Sequence, residues 1–328
     1  MQRHRGGEQG FRHVGMTTKH IILTACLLAV SPLPLLAADG GLFSAEGVDR
    51  LHAEITDRVT RSAAWLDAFF VDPVYDEEQN DTRVRLRLDF FAERGESPET
   101  DLRVDLRLQL PGTRERWSLF VSGDGAEELD TEHGTPERRM DEASSIGLSY
   151  FLANDAFRSF SVSGSIKRRD GEYGLFVQPR YRRLWEMGDW NTRFTQKIGY
   201  HTETRFETES RLDVERLLGD DLFFRVTGEV DWEEEQPGIE YASEMMLRQL
   251  LDADSVLSYR WYNQFETQPE HALVVAVVGA TLRKRFWRRW MFYEIAPYVA
   301  FPDDRDYRAT PGMQLRFEML FGRGEFGL

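Results

Sequence analysis

The sequence predicts an all-β fold: a transmembrane antiparallel up-and-down β-barrel of about 14 strands, or about 12 on a shorter count, preceded by one amphipathic helix. Three observations predict it. From Thr82 almost to the C-terminus, apolar and polar residues alternate with period two, the spacing that sends neighbouring side chains to opposite faces of a strand. The alternating segments follow one another through connections that are mostly short and polar, with no helical segment between them. Near its N-terminus the chain carries a stretch composed like an export signal.

That stretch is MTTKHIILTACLLAVSPLPLLAADGG, residues 16–41: a basic start, an apolar run, and small residues that place cleavage after Ala37 or Ala38. Residues 1–38 are therefore assigned as a signal peptide. Residues 1–15 have none of its features and read as a start site placed too early. A single membrane anchor is the rival reading, but the run is short for one and carries Pro32 and Pro34. Cys26 is the only cysteine, and the Leu23, Thr24 and Ala25 before it fit the sequence that precedes a lipidated cysteine. Too few apolar residues lie ahead of Cys26 for that role, so it is expected to leave with the signal, and disulfide and thiol chemistry leave with it.

Residues 39–81 form the next unit, read as a periplasmic amphipathic helix and an acidic linker. Within 44–71, Val48, Leu51, Ile55, Val59, Ala63, Leu66 and Phe70 recur at steps of three and four. Ser44 is a candidate N-cap, with Glu46 and Asp49 near the positive end of the helix dipole. The helix is too polar to span a bilayer. Its stripe is suited to its own barrel, to a periplasmic protein partner, or to a headgroup surface. Pro73 and DEEQND end it.

Residues 82–322 are the barrel, and 323–328 a C-terminal tail. In TRVRLRLDFFAER, Val84, Leu86, Leu88 and Phe90 alternate with charged neighbours. Leu102, Val104, Leu106 and Leu108, then Ile146, Leu148, Tyr150 and Leu152, and finally Met313, Leu315, Phe317, Met319 and Phe321 repeat the apolar face. The opposite parity supplies the lumen-facing candidates. These are Arg83, Arg85, Arg87, Asp89, Arg103, Asp105, Arg107, Arg193, Lys197, His201, Glu207, Glu209, Arg211, Asp213, Glu215, Arg225, Glu229, Asp231, Arg316 and Glu318. A soluble sandwich alternates in the same way, but it seldom chains so many tight hairpins without longer cross-sheet connections.

Connections after even-numbered strands are tight, whereas those after odd ones include GDGAEELDTEHGTPERRMDEA and the acidic EEEQPG and PDDRDY. In outer-membrane barrels the periplasmic turns are the short ones, and an even strand count returns both termini to the periplasm. Trp117, Trp185, Trp190, Tyr200, Trp232, Tyr241, Trp287, Trp290 and Tyr293 stand near segment ends, where interfacial girdles need them.

The segment Gln314 to Phe321 resembles the terminal-strand signal that barrel-assembly machinery reads, although Arg316 replaces the usual internal glycine and GRGEFGL follows it. EEEQPGIEY and RATPGMQLRFEMLFG also resemble a group of outer-membrane β-barrel proteins from Gram-negative bacteria, over residues 82–322. The resemblance implies the fold and the outer membrane as compartment and surrounding lipid. It brings no activity and no catalytic residues.

Composition bounds the function. A net charge of −15 without a basic tail speaks against nucleic acid as a partner. A lipase-like barrel needs a His two residues before a Ser, whereas the histidines after the signal read HAE, HGT, HTE and HAL. His201 and Glu203 are spaced as a local acid–base pair but have no nucleophile beside them. Asp220-Asp221 and Asp303-Asp304 are adjacent, so each pair splits between two strand faces and suits a turn. The run Asp231, Glu233, Glu234, Glu235 is attractive to Ca²⁺ but is more commonly a solvated loop. The expectation is a non-enzymatic barrel with no catalytic, cofactor-binding or metal residues and no cofactor. Its leading function is a channel or transport pore with a charged Arg/Glu/Asp lumen, in which Arg193 and Lys197 meet Glu207 and Glu209. The alternative is a structural or assembly protein anchored by the barrel, whose helix docks on a partner.

Overall fold

The structure, a computed structural model, describes residues 83–109, 116–122, 145–154, 157–169, 172–288 and 290–322. The signal peptide, the helix over 44–71, the acidic linker and the C-terminal tail lie outside these residues. The first strands are β1 (Arg83–Glu93), β2 (Glu99–Gln109), β3 (Trp117–Ser122), β4 (Ser145–Asn154) and β5 (Arg158–Arg169). They continue through β6 (Glu172–Met187), β7 (Trp190–His201), β8 (Arg205–Leu217), β9 (Leu222–Glu233) and β10 (Glu240–Asp252). The last are β11 (Ser255–Glu266), β12 (Ala272–Arg285), β13 (Met291–Pro302) and β14 (Thr310–Gly322).

Each strand pairs antiparallel with the next in sequence, and β1 pairs with β14, so the sheet is a closed barrel of 14 strands. The closing seam runs unbroken from Arg83↔Gly322 to Glu93↔Gly312. Closure satisfies the backbone groups that an open sheet would leave at its edges, a requirement inside a bilayer. Most strands are 10–16 residues long, enough for a tilted crossing, and β3 with 6 is the exception.

The two faces of the wall are chemically inverted relative to a soluble protein. Leu102 is 62% exposed, and Leu175, Trp261 and Val278 are exposed with it, while Arg85, Arg193, Asp213 and Glu215 are buried. Aromatic residues gather near strand ends: Trp117 and Trp190 open β3 and β7, and Trp287 lies between β12 and β13. Neighbouring rings meet across strands, as with Trp117 and Tyr150, 4.8 Å between centroids, and Tyr200 and Phe206, 4.9 Å.

The boundary between β7 and β8 carries no Gly or Pro, because a histidine organises it. The Nδ1 of His201 accepts the backbone N–H groups of Glu203 (3.3 Å) and Thr204 (3.4 Å). Arg205 then takes a left-handed φ of 64°. The Asp303-Asp304 pair sits in a short 3-10 turn between β13 and β14, where Asp303 Oδ1 accepts the N–H of Asp304.

Candidate functional site

The residues with chemistry to offer lie on the buried face. Register explains why they meet: in an antiparallel ladder directly opposed residues share a face, so a carboxylate opposite an arginine is within reach of it. Asp89 stands opposite Arg316, Glu294 opposite both Arg283 and Arg316, Glu215 opposite Arg225, and Lys197 opposite Glu209.

One network spans β12, β13, β14, β1 and β2. Arg283 donates to Glu294 and, at 2.6 Å, to Glu318. Arg316 donates through Nε to Asp89 Oδ1 at 2.7 Å and lies 3.6 Å from Glu294. Gln314 donates to the same Asp89 oxygen, and Arg87 donates to Asp105 at 2.9 Å. Asp89, Glu294, Arg283, Arg316 and Glu318 are all buried. Each charge therefore depends on its neighbours rather than on bulk water.

A second network spans β7, β8 and β9. Glu215 accepts from Arg225 at 3.0 Å and faces Arg193 at 3.6 Å. Arg211 donates to both oxygens of Asp213 at 3.2 Å and reaches Glu229 at 3.6 Å, while the Thr227 hydroxyl donates to Asp213 at 2.7 Å. Lys197 meets Glu209 at 3.2 Å, as its sequence position suggested. Arg193 does not meet Glu207 or Glu209, because register sets it opposite Asp213, one step from Glu215. Glu207 stands opposite Gly199, where the missing side chain makes room for its stem and for the Phe176 ring.

The remaining candidates occupy the same alternation class. Arg83 pairs in register with Arg107, and Arg87 with Arg103, which donates to Asp101 on its own strand. Arg85 is buried opposite Asp105. Asp231 lies opposite Glu209 on one side and Glu240 on the other, while Glu234 and Glu235 are exposed in the following connection. His201 is 1% exposed, and its Nε2 lies 3.4 Å from the carbonyl of Lys167. Its contact with Glu203 is to the backbone N–H, so the ring braces a turn and forms no acid–base pair with that carboxylate.

Two features escaped the sequence reading. Glu294 and Arg283 hold the first network together, yet they sit on strands that read as apolar. The available signal was a lone charge in WMFYEIAPYVAF. A buried apolar patch of Tyr262, Val275, Val277 and Ala300, with Ala242 and Tyr298 against it, interrupts the charged face on β10 to β13. Its signal was the unbroken run ALVVAVV, in which both parities are apolar.

No protein-family model matches the chain, and no curated protein matches it. Solved structures similar to it include OmpT of Vibrio cholerae, folded in vitro, at TM-score 0.45 and 10% identity, covering 74% of this chain and 97% of that one. The CymD monoaromatic hydrocarbon channel gives 0.49 and 8%, covering 78% and 92%. The KdgM porin gives 0.37 and 8%, covering 72% and 99%. At such identities the likeness concerns the fold alone. A closed antiparallel barrel that exposes its large apolar side chains and buries its charges is matched to lipid outside and polar groups inside, so the chain folds as a transmembrane β-barrel.

Proposed function

We propose that this barrel is a channel or transport pore whose lumen is lined by the buried charged face. The observation that carries the reading is the direction of the ion pairs. Arg87–Asp105, Arg193–Glu215, Arg225–Glu215, Lys197–Glu209 and Arg316–Asp89 each join neighbouring strands, and Arg283–Glu318 spans only one strand between. These pairs, among the described residues, lie along the wall.

Strand number supports the reading. Side chains fill the interior of a barrel of about 8 strands, and the diameter grows roughly linearly with strand number, so 14 strands enclose more space than their own wall occupies. Purified protein in a planar bilayer is expected to produce discrete conductance steps. A bilayer that contains folded barrel, verified by heat-dependent gel migration, and shows no steps overturns the proposal.

A further inference from the structure

We infer that the lumen is electrically polarised along its axis, carboxylate-rich at one rim and arginine-rich towards the other, so that the pore favours cations at the first rim and rectifies current. This rests on the pore reading above. The acidic rim carries the connections 94–98, 202–204 and 234–239; the opposite rim carries 188–189, 218–221 and 253–254.

The register shows the polarity directly. On β8 to β11 the rows nearest the first rim oppose like charges: Glu207↔Glu233, Glu209↔Asp231, Asp231↔Glu240 and Glu240↔Glu266. All six of these carboxylates are partly exposed. Directly opposed like charges weaken a ladder, so acid stacked on acid across four strands is not there for the stability of the wall. Deeper along the same strands the face turns to Arg225 on β9 and Arg248 on β10, both buried.

β1 and β2 repeat the order, while β14 beside them runs the other way, with Arg316 opposite Asp89 and Glu318 opposite Arg87. β1 passes from Arg85 and Arg87 to Asp89 and Glu93, and the row Arg87↔Arg103 on β2 is followed by Asp89↔Asp101. Ion pairs occur at both ends, as Asp105 with Arg87 and Glu215 with Arg225 towards the arginine-rich rim and Glu209 with Lys197 and Asp89 with Arg316 on the acidic side, so the polarity rests on the surplus of carboxylates in the rows of β8 to β11. Low-dielectric walls focus the field of one sign of charge into an aqueous path, and an acidic zone in series with a basic one passes ions unequally in the two directions.

The test uses the full-length mature protein, with single channels recorded in a planar bilayer in symmetric KCl of low ionic strength. The expected result is a current at one polarity exceeding that at the other by roughly twofold, with the asymmetry shrinking as salt is raised. The variant Glu207→Gln/Glu209→Gln/Asp231→Asn/Glu240→Gln is expected to bring the ratio close to one. Should that variant fail to fold, Glu207→Gln/Glu209→Gln alone is expected to give an intermediate ratio. Conductance steps with equal currents at both polarities, or rectification unchanged in a folded variant, overturn the polarised lumen and leave the pore standing. Absence of steps overturns the pore, and the polarised lumen with it.

Discussion

Asp89 shows how a single side chain is committed in this wall. It is fully buried, it accepts from Arg316 and Gln314 at 2.7 Å, and its charge is one of the two that Arg316 leans on. Removing one partner of a buried pair leaves the other charged and poorly solvated, which costs about 3–5 kcal/mol, while replacing both with apolar groups of similar size is far milder. Asp89→Ala is therefore expected to lower the urea midpoint of the folded barrel strongly. Asp89→Leu combined with Arg316→Met should recover most of the loss. Equal midpoints for wild type and the single variant would show that water, not Arg316, solvates the carboxylate. This pair was half legible: alternation put both residues on one face, but only register made them neighbours.

The turn from β7 to β8 is the element whose local chemistry is least ordinary. Two backbone N–H groups point at one imidazole nitrogen, so that nitrogen must be the unprotonated one, and the proton sits on Nε2, facing the Lys167 carbonyl. His201→Leu keeps the bulk and removes the acceptor. The two part-buried donors then lose their acceptor, and the hairpin is expected to open locally. Hydrogen exchange should then quicken at Glu203 and Thr204 while the amides of β12 and β13 stay protected; unchanged exchange at the turn contradicts the bracing role. A turn made by a side chain's hydrogen bonds needs no Gly or Pro, which is why no turn signal marks this boundary in the sequence. β12 was misleading for a different reason. Its inward positions at Val275 and Val277 are apolar, so alternation could not distinguish the two faces of that half of the strand.

At the scale of the molecule, the apolar exterior sets what the barrel tolerates. Val104 projects outward from the middle of β2, and Met187 projects outward at the last position of β6. An arginine facing lipid costs about 2–4 kcal/mol at the bilayer midplane and about 0–1 kcal/mol near the interface. Val104→Arg is expected to reduce folding into lipid vesicles markedly, and Met187→Arg to leave it nearly unchanged. Similar losses for both would mean that the lipid belt is not where the exposed apolar band places it.

Alternation is written into the order of residues, and with it the strand content, the approximate strand number and which residues share a face. These are local properties, because a period of two is written in neighbouring residues and a strand long enough to cross a bilayer is visible in one segment. That β1 closes on β14, that Arg193 reaches Glu215, and that Glu294 joins Arg283 to Arg316 emerged with the folded barrel. Those outcomes depend on register between strands, and on a seam joining residues more than two hundred positions apart. Register is fixed by turn geometry and bulges, such as those at Phe151/Ala153 and Gln264/Phe265, and a shift of one residue would exchange every side chain between lipid and lumen.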